Sequence, residues 1–228
     1  MKTIKIFIIA LSLSFLKAQE AKEIIIPGDY SSIFIYQAIE VNLIKGNSNK
    51  IVLTSNNKDA STFGYKIKNG VLKLRQGLDR KLSIDKVYVN LYSNKSIEEI
   101  KLFQGAILKA KDTLVQTSIK IKVQEGSSFE AVLDTEKTSV AVFSGGSVDL
   151  KGKTTVVEIN ASTGGVCTSE ELFSKQAKVK ASIGSLVYVR ASLLFDAKAS
   201  TGSTVRVYEK PKKTLTKTSL GGKIIMMK

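Results

Sequence analysis

The chain has 228 residues, with 35 Lys and Arg against 20 Asp and Glu, a formal charge of +15, no His, no Trp, one Cys and two Pro. The lack of His excludes a Ser-His-Asp triad, a Cys-His dyad and an imidazole metal site. A single Cys excludes an intramolecular disulfide framework and a cysteine-cluster zinc site. The 43% hydrophobic fraction is enough for a packed core.

Residues 1–19, MKTIKIFIIALSLSFLKAQ, read as a secretory signal peptide. Lys2 and Lys5 make the basic start, Ile6 to Leu16 is an apolar run, and Ala18 and Gln19 form a small, polar exit. The run is shorter than the ~20 residues of a membrane span, and no later stretch reaches that length, so no transmembrane segment is expected. The expected address is therefore the periplasm, the cell surface or the medium. Cleavage removes Lys2, Lys5 and Lys17 and no acid, so the charge falls from +15 to +12.

Residues 20–95 are expected to form an N-terminal β-segment that packs on the remainder of the chain or continues into it. Its clearest signal is Gly64-Tyr65-Lys66-Ile67-Lys68-Asn69-Gly70-Val71-Leu72-Lys73-Leu74-Arg75. Asn-Gly between alternating residues predicts a two-residue hairpin of type I′. That register pairs Lys66 with Lys73 and Tyr65 with Leu74. It puts Tyr65, Ile67, Leu72 and Leu74 on one face and Lys66, Lys68, Lys73 and Arg75 on the other. Both arms agree on the apolar face, which fixes the register.

Residues 96–228 repeat. Glycines recur at Gly105, Gly126, Gly146, Gly165, Gly184, Gly202 and Gly222, each between short stretches of alternating residues. A period near 20 marks a solenoid. The unit is too short for two helices and lacks the leucine-rich consensus, which leaves a parallel β-helix with glycine at a corner. An antiparallel sandwich or barrel is the competing fold for glycine-punctuated strands. In the β-helix, Val123, Val142, Ile159 and Ala181 face inward. The inward set also includes Val166 and Leu186 after their glycines. Cys167, in a strand-like segment, is expected to be a buried free thiol.

In order along the chain, these segments resemble a bacterial family, the putative auto-transporter adhesin head domain or GIN domain. The similar segments are Ser32-Ile33-Phe34-Ile35 leading to Ile39-Glu40-Val41-Asn42-Leu43, the Asn69-Gly70 turn, and Val87-Tyr88-Val89-Asn90-Leu91-Tyr92 with Ile97-Glu98-Glu99-Ile100. Further on they are Phe143-Ser144-Gly145-Gly146-Ser147-Val148, Ala199-Ser200-Thr201-Gly202-Ser203-Thr204-Val205, and the close from Val207 to Ile224. The likeness covers about residues 30–226. It implies an all-β chain folded as a right-handed parallel β-helix with an N-terminal hairpin-containing cap, export, and an adhesion role with no catalytic residues to carry over. The chain departs from the family pattern at Phe103-Gln104-Gly105, where small residues are usual.

A hydrolase or lyase on such a scaffold needs clustered carboxylates. The acids here are scattered, and in the adjacent pairs Glu98-Glu99 and Glu170-Glu171 strand geometry points the neighbours to opposite faces. No sequence feature calls for a cofactor or metal, and no nucleic-acid recognition motif is present. The positive signal is basic: Lys66, Lys68, Lys73 and Arg75 form the candidate ligand-binding face. The partner it implies is an anionic polysaccharide or other envelope polymer. The leading expectation is a secreted or envelope protein without enzymatic activity. The alternatives are a carbohydrate-active enzyme on a β-helix, or a structural module that forms a homodimer through its terminal coil, where Lys223-Ile224-Ile225-Met226-Met227 is apolar.

Overall fold

A computed structural model describes residues 22–54, 63–77 and 86–227. The expected signal peptide lies outside the described residues. The protein is all-β, 66% strand, and forms a β-solenoid of about 7 turns with roughly 19 residues per turn. The expected solenoid is therefore the fold, and the sandwich alternative falls.

The coils are clearest in the long strands β10 (Leu114–Val123), β11 (Ser128–Val142), β12 (Ser147–Ala161) and β13 (Val166–Ala181). These pair in parallel, each residue stacking on its equivalent one coil later. In β11, Phe129, Ala131, Leu133 and Thr135 point inward, and so do Thr138, Val140 and Val142. Glu136 and Lys137 both face out between these two sets, where the strand bends and its alternation restarts. Val123, Val142, Ala161, Ala181 and Ala199 form one inner column, and none is more than 3% exposed. Each fully buried Val contributes roughly 1.5–3 kcal/mol, so the stacked columns hold the fold. The bend carries polar groups inside: the hydroxyls of Thr135, Thr138 and Thr154 bond one another at 2.8–3.4 Å and thereby satisfy their own burial.

The other corner repeats seven times. A residue with positive φ is followed by Gly with positive φ: Gln104-Gly105, Glu125-Gly126, Ser144-Gly145, Thr163-Gly164, Ile183-Gly184, Thr201-Gly202 and Leu220-Gly221. Positive φ at both central positions is the type I′ arrangement, the turn predicted for Asn69-Gly70. The corner Gly N–H donates to the carbonyl of the matching corner in the next coil, as Gly145 does to Thr163 at 3.1 Å and Gly164 to Ile183 at 3.0 Å. The corners thus form a hydrogen-bonded ladder of their own.

Two sequence expectations need correction here. Gly146, Gly165 and Gly222 stand one residue beyond the corner, which belongs to Gly145, Gly164 and Gly221. They are glycines for a different reason: a Cβ there would lie 2.8, 2.4 and 2.2 Å from the carbonyl oxygens of Val123, Val142 and Ala199. Val166 and Leu186 face outward and are half-buried, while Cys167, Val187 and Val189 take the inward positions. The inward position is the third residue after the corner Gly in every coil, and apolar character alone does not reveal it. Cys167 is a buried free thiol, as expected, and burial pushes its pKa up to about 12.

The two ends differ. Strands β2 (Ser32–Ile35) and β3 (Ile39–Lys45) stack on β8 (Glu99–Leu102) and β9 (Ile107–Ala110). The chain between them runs outward before returning: β6 (Val71–Gln76) and β7 (Val87–Ser93) form a coil on the far side of β2 and β3. Antiparallel strands β1 (Lys22–Ile25), β4 (Lys50–Leu53) and β5 (Phe63–Lys68) border that coil. At the other end, β14 (Leu186–Val189), β15 (Leu194–Ala199) and β16 (Thr204–Val207) continue the coils to β17 (Lys213–Thr218) and β18 (Lys223–Met226). Every residue of β17 is exposed.

Candidate binding face

The strands before each glycine corner stack into what we call the first face: β5, β6, β2, β8, the second halves of β10 to β13, then β15 and β17. The strands after the corner make the second face. The β5–β6 hairpin has the predicted register, with Lys66 opposite Lys73 and Tyr65 opposite Leu74. Lys66, Lys68, Lys73 and Arg75 all lie on its outward side, and Leu72 and Leu74 are buried.

The four do not stand alone. Strand register aligns Lys73, Phe34, Lys101, Lys122, Ala141, Asn160, Lys180, Lys198 and Lys217 in one outward column along the solenoid axis. Six of these nine positions are lysine and none is a carboxylate. Adjacent rungs are about 4.8 Å apart, so the column spans roughly 38 Å. The neighbouring outward column, with Glu99, Lys120, Ser139, Glu158, Lys178, Asp196 and Leu215, mixes both signs.

Near the hairpin the face becomes cation and aromatic. Arg75 lies 4.4 Å from the centre of the Tyr36 ring, Tyr36 stacks on Phe103 at 4.9 Å, and Lys101 lies 4.5 Å from the centre of the Phe34 ring. Each such pair is worth ~0.5–1 kcal/mol at an exposed site. Phe103, the departure noted at the Gly105 corner, thus packs the edge of this face. The ring faces are taken up by one another and by Arg75, so Arg75 is partly a packing residue.

In the middle of the face is a depression of about 410 Å³. Ser139, Ala141 and Asn160 form its floor, and lysines from the flanking rungs form its ends. Glu99 and Glu158 also line it, but each is held by a lysine at 3.1 Å, Lys101 and Lys137 respectively. The two carboxylates are three rungs apart in their column, about 14 Å.

The second face is different in charge. Its matching column reads Asn42, Lys109, Glu130, Asp149, Thr168, Tyr188, Arg206 and Ile225. At a register shift between Asp149 and Lys151, Glu170 is half-buried and Glu171 exposed, so strict alternation fails at this adjacent pair. Carboxylates therefore gather here across coils. Burial, and then the neighbouring Glu130, Glu170 and Glu171, push the Asp149 carboxyl above the usual range, against the pull of Lys151. Lys151 bonds Glu171 at 3.2 Å. Among the described residues no group of three or more His, Cys, Asp or Glu is placed to hold a metal ion.

The hairpin quartet was readable from local alternation. Lys101, Lys198 and the alignment of the other lysines were not, although their signal is present. Lys101, Lys122, Lys180, Lys198 and Lys217 recur at whole multiples of the coil length. Finding them requires the length of each individual coil.

The family described as "Putative auto-transporter adhesin, head GIN domain" matches residues 29–211. The chain belongs to this family. Solved structures similar to this GIN-domain chain include a putative adhesin from Bacteroides fragilis NCTC 9343, with TM-score 0.82 at 12% identity, covering 90% of this chain and 95% of that one. A putative adhesin from Parabacteroides distasonis ATCC 8503 has TM-score 0.70 at 17% identity over 91% and 96% of the two chains. A putative lipid binding protein from the same organism has TM-score 0.65 at 14% identity over 92% and 96%. At these identities the likeness carries the fold alone. No curated protein matches the chain. Among the described residues no helix is long and apolar enough to cross a membrane, which says nothing of strands.

Proposed function

We propose that this GIN-domain chain is an exported or envelope protein without enzymatic activity, and that its first face binds an anionic polymer, an acidic polysaccharide in the first instance. The observation that carries this reading is the lysine column, six cations on one side of the solenoid with no carboxylate among them. A polymer lying along the axis meets ammonium groups at rung spacing, and many weak contacts add up on one chain. The six lysines are exposed or half-buried at the surface, so attraction must fall with salt, whose screening length is about 8 Å at physiological strength. The family's adhesin description agrees with an extracellular or envelope location.

A glycosidase would place two carboxylates about 5–10 Å apart across the substrate. Glu99 and Glu158 of the depression stand wider than that and are each occupied by a lysine. At the depression, that spacing favours binding over hydrolysis.

The test is retention of polygalacturonate at low and high salt. The wild type should be retained at low salt and released at high salt. Lys122/Lys180/Lys198→Ser should lose about tenfold in affinity or more, and Lys66/Lys68/Lys73/Arg75→Ser should lose less, because only Lys66 and Lys73 stand in line with the column, at its end. Retention that is salt-independent, or unchanged by both sets, contradicts the reading.

A second proposal concerns the open end. β17 is wholly exposed, and Leu215, Ile225 and Met226 face solvent at 39–48%. Free strand edges with apolar side chains favour pairing with a second copy, while Lys213 and Lys217 oppose it by like charge. Light scattering across concentration decides it: a dimer abolished by Leu215→Lys supports pairing, and a monomer at every concentration ends it.

A further inference from the structure

The lysine column of the first face is interrupted at two places, by Phe34, whose ring Lys101 covers, and by a longer gap in the middle. Ala141 and Asn160 stand on successive rungs where both flanking stretches carry lysine. Attraction for a polyanion gives no reason for this gap, since two further lysines would strengthen it. The gap coincides with the 410 Å³ depression. That volume lies within the ~300–1,000 Å³ of small-molecule sites.

Its chemistry is ordered along the axis. At one end are Lys120 and Lys122, and three rungs on, about 14 Å away, are Lys178 and Lys180. Among the described residues none of these four has a carboxylate within ion-pair distance, whereas the lysines at Glu99 and Glu158 are engaged. Between the cationic ends stand the Ala141 methyl, the Ser139 hydroxyl and the Asn160 carboxamide, with one carboxylate, Glu158, beside Asn160 and held by Lys137 at 3.1 Å. A carboxamide supplies two donors and an acceptor, and a hydroxyl supplies one donor and accepts, which suits sugar hydroxyls rather than a charge. The order along the face is cation, polar floor free of cations, cation.

We infer that the depression is a subsite for one uncharged sugar, flanked by lysine pairs that take the anionic sugars on either side of it. This rests on the anionic-polymer reading above and adds a selectivity to it: the polymer carries its charge on alternate residues. A polysaccharide charged on every sugar would set an anion over this floor, beside Glu158 and without a free cation, and gain less there. A lysine at the floor fills the space and removes the complementarity, although it adds positive charge.

The experiment uses two probes with equal numbers of carboxylates: a hyaluronan oligosaccharide, whose uronates alternate with neutral sugars, and an oligogalacturonate, charged on every residue. Affinities are measured at one low salt concentration, with far-UV circular dichroism and Tm confirming the fold of each variant. The wild type should prefer the hyaluronan oligosaccharide. Ala141→Lys should weaken that binding about tenfold while leaving oligogalacturonate binding equal or tighter. Asn160→Ala, which changes no charge, should weaken only the hyaluronan oligosaccharide, by about threefold to tenfold, the loss of one to two hydrogen bonds. Ala141→Lys tightening both probes, or a wild type that shows no preference, overturns the subsite and leaves the polymer reading standing. Failure of the wild type to bind either probe removes the polymer reading and the subsite together.

Discussion

The first and second faces share every coil and one hydrophobic core, yet they turn different chemistry outward. On the first face the register collects Lys73, Lys101, Lys122, Lys180, Lys198 and Lys217 into one row. On the second face Glu130 and Asp149 stand side by side, with Glu170 and Glu171 brought near by the register shift. A uniformly solvated surface would intersperse the two signs. A solenoid therefore turns a periodic sequence into linear arrays, and the sign of an array is set independently of the core beneath it.

The faces meet at the glycine corner, so the corner is where the comparison breaks most completely. Gly165→Val places a Cβ 2.4 Å from the Val142 carbonyl oxygen, against backbone that cannot step aside. We expect a loss of about 3 kcal/mol or more and the disappearance of both faces as binding surfaces, read as a drop in denaturant midpoint. A midpoint near wild type would show that the stacked corners are looser than described.

Ile183 sharpens the comparison by strengthening both faces equally. It is β-branched, 53% exposed, and held at φ 50° in the left-handed region. A branched side chain there costs roughly 1–2 kcal/mol, and Asn tolerates the conformation better. Ile183→Asn should raise Tm by a few degrees, about 2–4 °C per kcal/mol for a chain of this size, with polymer affinity unchanged. An unchanged or lower Tm would mean that Ile183 gains compensating contacts at the corner.

The smallest effect belongs to the second face alone. Because the folded state raises the Asp149 pKa, the ionised carboxylate opposes folding. The penalty is absent below the unfolded carboxyl pKa and grows as pH rises through the folded one. Asp149→Asn should therefore raise Tm slightly at neutral pH and not at pH 3, when the two proteins are scanned side by side. A gain that persists at pH 3 would point to a hydrogen-bonding cause instead.

Legibility in the sequence followed the range of the physics. The β5–β6 hairpin is local, and two arms with matching alternation fix its register without further knowledge. The coil period is medium-range, and the stacked Val123, Val142 and Ala181 follow from it. The lysine column is long-range, because coil length varies: the step is 21 residues from Leu102 to Val123, 20 from Ala161 to Ala181, and 18 from Ala181 to Ala199. One residue of error per coil rotates a side chain to the opposite side of the sheet, as at Val166 and Leu186. The outward and returning path of β6 and β7 around β2 and β3 has no local signal, since any parallel strand of similar alternation fits either edge.

The most direct test removes equal charge from the two faces. Lys122/Lys180/Lys198→Ser and Lys109/Lys151/Arg206→Ser each delete three cations, and the net charge of the two variants is identical. Affinity for an anionic polysaccharide should fall about tenfold or more in the first variant and by less than about twofold in the second, with a shallower salt dependence only in the first. Equal losses in the two variants would show that net charge, and not the lysine column, attracts the polymer.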